Sequence, residues 1–548
     1  MKRRNFLKTT SLSALSIPIV LNGLPFTSLA NSPFYKALGN AAYPDRVMVL
    51  IQLNGGNDGL NTVIPIEMYP HLTKSNSQGG RSNILVDEND VLKLMYNSID
   101  QSPGTGLHPA MSALSNLFTN GQLNVMQGVG YPNPSFSHFR ATDIWLSGSD
   151  SNTYEQTGWA GRFLDHEHPN YLTTPPANPL AITIGSISSN AYKGTQLNMG
   201  MAVQNPTASG YFSGNIDTAP NSIYGYELEH IRKIAQQSND YAASLATAYA
   251  NGQNVATYPS NNSLADQLKT VARLISGDLG TNFYMVNMGS FDTHNDQVNS
   301  GDTKTGWHAN QLQQLAEAIN AFQTDLNSMT NSYGAMQNQV FGMTFSEFGR
   351  TIKSNNTNGT DHGTTAPMFL FGNKINPTVL GKNPEVWDSA QGQMKSDLDM
   401  QFDFRSIYAT ALYQWFGLNK GDVDSLFGKT FEDGTNPSQN IYDGGFHCNL
   451  PIFLNGGIPI ATGVEEGKIS ASGIYPNPSL GLIKYQGLQS GTYQLQVINN
   501  DGKLVHDKQY SSTEMENGLN FGLPRGTYTI IYRNTKNKQQ RSDRILIQ

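Results

Sequence analysis

The first regular stretch of the chain, Val47-Met48-Val49-Leu50-Ile51-Gln52-Leu53, is apolar at almost every position. A strand with one wet face alternates polar and apolar residues. A near-continuous apolar run instead suits a strand covered on both faces. Leu123 to Val129, Asn282 to Met288, Val340 to Phe345 and Pro367 to Phe371 follow the same rule. Between these runs the period changes. Leu312, Leu315, Ile319, Phe322 and Leu326 fall on one helix face, as do Leu264, Leu268, Val271 and Ile275, and Phe404 to Trp415 reads as a further helix. Strands alternating with helices predict one α/β domain over residues 45–455, built on a mostly parallel sheet with helices on both faces.

The pattern shifts again towards the C-terminus. Residues 456–473 contain Pro and Gly and read as a linker. Beyond it the runs are short and alternating: Tyr493 to Ile498, a turn at Asn499-Asn500-Asp501-Gly502, Lys503-Leu504-Val505, then Thr527 to Tyr532 and Arg544 to Ile547. They predict a small all-β sandwich over 474–548. Its Ile474-Tyr475-Pro476-Asn477-Pro478 and Leu523-Pro524-Arg525-Gly526-Thr527-Tyr528 resemble the type A sorting domain of the type IX secretion system of Bacteroidota. That resemblance implies passage across the outer membrane, then release or surface anchoring. A carbohydrate-binding sandwich is the alternative.

At the other end, Lys2, Arg3, Arg4 and Lys8 precede a mildly apolar stretch, Ser11 to Leu24, that closes on Ser28-Leu29-Ala30. A basic start, an apolar middle and small residues at the end make residues 1–30 a signal peptide, followed by a linker over 31–44. The stretch lacks the ~20 apolar residues of a membrane span. Arg3-Arg4-Asn5-Phe6-Leu7-Lys8 resembles the twin-arginine export signal, which implies a protein that folds before crossing, often with a metal or cofactor in place. The expected partners at the two ends are the twin-arginine and type IX export machineries. The expected destination is the cell surface or the medium.

Composition narrows the function classes. Only 14% of the 548 residues are charged, against about 25% in an average chain. A net charge of −7 argues against a broad nucleic-acid surface. The single cysteine, Cys448, excludes an internal disulfide framework and a thiolate-rich metal site. Both termini are basic, so the acids concentrate in the central region, where several are expected to be neutralised by metal rather than by lysine.

Those acids gather where strands end. Leu53 runs into Asn54-Gly55-Gly56-Asn57-Asp58-Gly59, Met288 into Gly289-Ser290-Phe291-Asp292-Thr293-His294, and Phe345 into Ser346-Glu347-Phe348-Gly349-Arg350. Ligands of open α/β sheets bind beyond the carboxyl ends of the strands, so these groups can converge, with Asp361-His362-Gly363 nearby. Each alone is also ordinary turn chemistry. Carboxylates and imidazoles without thiolate suit zinc, manganese, magnesium or calcium. A serine nucleophile needs activation of the kind a metal gives. The best candidate is Ser137, placed to cap a helix starting near His138, where free N–H groups favour anions. His138 and Arg140 would bind the anion; the alternative is a plain helix cap with two solvated neighbours.

Together these motifs, with Thr157-Gly158-Trp159-Ala160-Gly161-Arg162, resemble the bacterial family catalogued as domain of unknown function 1501, in the alkaline phosphatase and sulfatase superfamily. The resemblance covers residues 45 to about 420. It implies an alkaline-phosphatase-like fold, with Asp58 as a metal ligand, Ser137 as nucleophile, and Asp292, His294 and His362 as a complete metal site. His362 opens a run with Pro367 five residues on, then apolar residues and Gly372, as the superfamily pattern requires. A second site would use Asp58, Glu347 and Ser137, all oxygen donors, because Phe348 stands where the superfamily has a histidine. Such a set suits magnesium or calcium better than zinc; the alternative is that it is too weak to hold metal and leaves one ion. The formylglycine motif of sulfatases is absent around Cys448, which reads as structural.

The expected function is a secreted, metal-dependent hydrolase of phosphate or sulfate esters acting on an anionic ester or glycan substrate. The rival is a non-catalytic surface protein that binds glycan on a degenerate version of the fold. His108, His166, His168, His308 and His447 are expected at the surface or at helix caps. Asp165 and Glu167 are expected in a solvated turn, and Trp145 and Trp159 in packing.

Overall fold

The structure is a computed structural model. It describes residues 45–94, 104–171, 175–195, 197–207, 241–434 and 440–454, and most of 473–547. Before Asp45 it describes only Val20–Leu21 paired with Leu24–Pro25. The rest of the expected signal peptide and both linkers lie outside the described residues, apart from Gly473. The chain divides into two compact units, Met1–Ile458 and Pro459–Gln548.

The first unit is built on a nine-stranded sheet. Its strands are β1 (Val47–Leu53), β2 (Leu123–Gly130), β3 (Ala181–Ile184), β4 (Gly200–Val203), β5 (Phe283–Met288) and β6 (Val340–Ser346). After a small hairpin of β7 (Gly349–Ser354) and β8 (Thr360–Gly363), the chain adds β9 (Ala366–Phe371), β10 (Val379–Leu380) and β11 (Phe402–Asp403). The spatial order is β10-β2-β9-β6-β1-β5-β3-β4, with β11 also against β2. All five strands expected from apolar runs are present. The two faces of β1 show why its sequence does not alternate. Met48 and Leu50 enter one apolar cluster, Val47, Val49, Ile51 and Leu53 the other. The first cluster is covered by α2 (His138–Ser147), α3 (Trp159–Glu167) and α6 (Phe404–Thr410); the second by α1 (Ser112–Thr119), α4 (Ser263–Ser276) and α5 (Trp307–Ser328).

Strand direction sets the location of the chemistry. Leu53 of β1 pairs with Met288 of β5 on one side and Ser346 of β6 on the other, all parallel, so three strands end in one row. β9 runs antiparallel to both β6 and β2. Its N-terminal end therefore lies at that same row, and the preceding hairpin carries Asp361 and His362 there. β2 in turn runs parallel to β6, and its end leads by a short loop into α2.

Buried charges are met differently from the expectation. Asp58 pairs with Arg81 and Asp403 with Arg405, all four side chains being essentially inaccessible. Guanidinium groups pair with these acids. His108, His308 and His447 are buried rather than at the surface. His108 nevertheless caps a short helical turn, accepting from the Ala110 N–H through Nδ1 at 3.1 Å. Asp165 and Glu167 lie on α3 rather than in a turn, Asp165 accepting from the Thr195 N–H and hydroxyl, and Trp145, Trp159 and Cys448 are core residues. No described helix is long and apolar enough to cross a membrane.

The second unit is antiparallel throughout its sheets: β12 (Gly473–Tyr475), β13 (Leu482–Gln486) and β16 (Leu519–Asn520) form one, and β15 (Leu504–Ser511), β14 (Thr492–Asn499), β17 (Gly526–Asn534) and β18 (Gln540–Ile547) the other. Ile483, Tyr485, Tyr493, Leu495, Val497, Ile530 and Tyr532 fill its core. A single helical turn and a half, Ser512–Asn517, interrupts the all-β plan, started by reciprocal Ser511 and Glu514 capping.

Candidate functional site

The site stands on the row of strand ends. After β1 the chain turns through Gly55 and Gly56, both at positive φ (123° and 83°). A Cβ at Gly55 would lie 2.3 Å from the Asp292 nitrogen, so only glycine lets the β1 and β5 loops approach this closely. Arg350, on β7, ties the loops together. Its buried guanidinium donates to the carbonyls of Gly55, Gly56, Phe291 and Thr360 and, at 2.6 Å, to Asp292 Oδ1.

Around Asp292 three imidazoles converge. His362 Nε2 lies 3.3 Å and His294 Nε2 3.2 Å from Asp292 Oδ1, and His138 Nε2 3.5 Å from Oδ2. The two ring nitrogens of His294 and His362 stand 3.0 Å apart. His294 Nδ1 faces Asp361 at 3.4 Å. Burial opposes ionisation of Asp292, but the Arg350 hydrogen bond and charge, helped by His362 and His294, hold its carboxyl below the ordinary value. Burial lowers the His362 pKa despite its bond to the Phe136 carbonyl. A carbonyl only accepts, so His362 Nδ1, 2.9 Å from that oxygen, carries the proton and leaves Nε2 with a lone pair when neutral.

Glu347 is buried at the end of β6. Its Oε1 accepts from the Gly55 N–H and from His138 Nδ1, each at 2.8 Å, and its backbone carbonyl from Trp145 Nε1 at 3.0 Å. Its Oε2 is buried without a hydrogen-bond partner. Ser137 is the N-cap residue of α2, as expected, but its side chain makes no capping bond and is exposed. Phe348 is buried beneath the imidazoles, its ring centroid 4.4 Å from that of His362 and 4.9 Å from that of His138.

Two expected site residues are elsewhere. Arg140 spends its guanidinium on Asp143 and on the carbonyls of Asp150, Ser151 and Thr153, with Tyr154 stacked 4.1 Å away. None of these partners belongs to the Asp292 cluster. Asp58 lies behind the site, fully buried, accepting from Arg81 at 3.0 and 2.9 Å and from Gln297 Nε2 at 2.6 Å. Burial would raise its pKa, but the Arg81 and His308 charges and the two side-chain donors lower it. Arg81, Gln297 and Arg350 carry no expected role in the sequence, and His308, expected at the surface or at a helix cap, is the buried partner of Asn57.

The donor set fits a divalent metal. One donor atom each from His138, Asp292 and His362 lies within 4.8 Å of the others. Ligands ~2.1 Å from a tetrahedral ion stand roughly 3.4 Å apart, close to the 3.2 to 3.5 Å between Asp292 and its imidazoles. A cleft of about 550 Å³ opens on the cluster and is lined by His138, Phe139, Asp143, Asp292 and Glu347, among others, with no lysine or arginine among its described lining residues. A larger cleft of about 870 Å³ begins at Asp361 and carries Lys353 and Lys395.

Residues 223–426 match the family described as a protein of unknown function, DUF1501, and residues 473–548 the secretion system C-terminal sorting domain. The first match takes in the motifs around Asp292, Glu347 and His362; those around Asp58 and Ser137 precede it. No curated protein matches the chain. Among solved structures, a protein of the alkaline phosphatase superfamily from Vibrio parahaemolyticus is 9% identical, covering 90% of this chain and 81% of its own, at a TM-score of 0.31. A Bacteroides thetaiotaomicron protein connected with metabolism of multiple glycosaminoglycans is 10% identical, covering 91% and 89%, at 0.32. PorZ, a surface component of the type-IX secretion system of Porphyromonas gingivalis, is 20% identical over 18% of this chain, which spans only 13% of its length, at 0.13. The chain thus carries a central stretch matching DUF1501 and a C-terminal sorting domain that directs it through secretion to the cell surface.

Proposed function

We propose that the protein is a metal-dependent hydrolase of phosphate or sulfate esters acting at or beyond the cell surface. The observation that carries this reading is the convergence of Asp292, His294, His362 and His138 on one half-exposed spot, with Ser137, the residue before His138, exposed and its hydroxyl free of capping duty. A divalent cation bound there would polarise an ester oxygen and favour ionisation of a nearby hydroxyl. Ser137 Oγ would form the new bond to phosphorus or sulfur as the alcohol leaves, and water would later release the acid. The unsatisfied N–H groups at the start of α2 would face the anion. With no lysine or arginine in the described cleft lining, substrate binding would depend on the metal. Arg140 and Asp58 have no direct part in this scheme.

A second reading, glycan binding without turnover, has one observation in its favour. Phe139, at the rim of the same cleft, is 91% exposed, as a stacking platform for a sugar ring would be.

The experiment is metal analysis of the exported protein with assays on aryl phosphate, phosphodiester and aryl sulfate substrates, beside Ser137→Ala and Asp292→Asn. Turnover lost in both variants is the expected result. Protein that holds no metal and turns over none of these esters would overturn the enzyme reading. Turnover unchanged in Ser137→Ala would remove only the nucleophile assignment.

A further inference from the structure

We infer that His138 is a metal ligand through Nε2, aimed by Glu347, and that the cluster takes one cation rather than two. The inference rests on the metal-dependent reading above and reassigns two of its residues. His138 was expected to hold the anion, and Glu347 to bind a second metal.

The geometry separates the roles. Glu347 Oε1 already accepts the Gly55 N–H and His138 Nδ1. A ring nitrogen bonded to a carboxylate is the proton-bearing one, so the other nitrogen presents its lone pair. In His138 that is Nε2, which faces Asp292 Oδ2. His362 repeats the arrangement from the opposite side, with Nδ1 anchored on the Phe136 carbonyl and Nε2 facing Asp292 Oδ1. Two imidazoles from different elements are thus each fixed at Nδ1 and each turned at Nε2 towards one carboxylate. Their rings meet edge to face, with centroids 4.6 Å apart, over Phe348. Carboxylate or carbonyl support behind a ligating histidine is the usual outer layer of a metal site.

The same geometry takes Asp58 out of the second place expected for an ion. Both oxygens of Asp58 are taken by Arg81 and Gln297. Phe348 fills the position expected to carry a histidine, and its ring packs against the two imidazoles. Glu347 Oε2, buried and without a partner, adds negative charge behind His138 and strengthens it as a donor.

The test is titration of zinc, and separately cobalt, into metal-stripped full-length protein, reading metal per chain, affinity and the visible cobalt spectrum. One ion per chain is expected. His138→Ala should weaken binding ~100-fold and alter the cobalt spectrum. Glu347→Ala should weaken it ~10- to 100-fold, the range for outer-layer partners, with Glu347→Gln, which keeps an acceptor for Nδ1–H, restoring most of the loss. Melting of each stripped variant shows whether it is folded. Two ions per chain, no binding by the wild type, or a folded His138→Ala with unchanged affinity and spectrum would each overturn the inference. Metal binding that depends on His138 without ester turnover would sink the hydrolase reading and leave this one standing; turnover with His138-independent metal binding would do the reverse.

Discussion

Asp58 and Asp292 lie shortly beyond the ends of neighbouring parallel strands, in segments that touch through Gly55. Asp58 is sealed in the interior and shares both oxygens between an arginine and a glutamine. Asp292 is 46% exposed at its side chain, gives one oxygen to Arg350 and turns towards three imidazoles. Arg81 is committed to Asp58, whereas Arg350 divides its donors among four carbonyls and one acid. An acid closed off with its own guanidinium holds the fold. An acid with imidazole nitrogens on its open side can hold a ligand.

The largest effect that tests this contrast is on stability. Asp58→Asn leaves the Arg81 charge buried without a counter-ion, which costs on the order of 3–5 kcal/mol. Denaturant melts should show that loss, while any folded fraction keeps its metal. Asp292→Asn should do the opposite, losing metal with a smaller stability loss, because four carbonyls still hold the Arg350 guanidinium and the Asp292 side chain is half-exposed. If Asp58→Asn stays stable and loses metal, the contrast between the two acids is wrong.

Acid should expose the interior cluster next. Burial pushes His308 down to about 4 and His108 down to about 3. Unfolded histidine titrates near 6.5. Between pH 6.5 and 4 the unfolded chain therefore binds protons that the folded chain refuses. The stability these neutral histidines carry is complete above pH 6.5 and falls as pH drops towards 4, by about 3 kcal/mol for His308 alone. Asp58, with its depressed pKa, stays ionised across this window and adds no opposing slope. Stability measured against pH in the wild type and in His308→Gln checks the assignment. A flat profile, or an unchanged slope in the variant, would remove His308 from the account.

A smaller effect probes the seam between the two acids. A Cβ at Gly56 would lie 2.6 Å from the Phe348 ring, at a φ of 83°. Gly56→Ala should cost on the order of 1–3 kcal/mol. Because Phe348 supports His138 and His362, metal affinity should fall in step. Affinity untouched by the substitution would show that Phe348 does not position the imidazoles.

These contrasts mark what the sequence could carry. The apolar runs at Val47–Leu53 and Val340–Phe345 were legible because both faces of each strand are covered, and the strand-end acids followed from them. Direction was not legible. Pro367 to Phe371 is equally apolar whichever way it runs, and its reversal brings His362 to the cluster by the N-terminal end of β9. Nor was the partner of Asp58, since Arg81 reaches it from a loop with no periodic signal. The position of Arg140 was available from geometry alone: two residues past His138 on a helix is ~200° around the axis, away from whatever His138 faces. Arg350 also left a trace, a cation only three residues beyond Glu347 beside the buried Phe348.

Ser137 can belong to either side of this contrast. A serine at an N-cap usually contributes about 1 kcal/mol through its hydroxyl. Here that hydroxyl makes no capping bond and is exposed to solvent. Ser137→Ala should therefore change stability by less than about 0.5 kcal/mol, while ester turnover falls roughly 10³-fold or more if Oγ is the nucleophile. Melting and turnover measured on the same sample separate the two roles. A loss of about 1 kcal/mol with turnover intact would make Ser137 a cap, a residue of the fold like Asp58, and would move the reactive oxygen to a solvent hydroxyl beside the imidazoles.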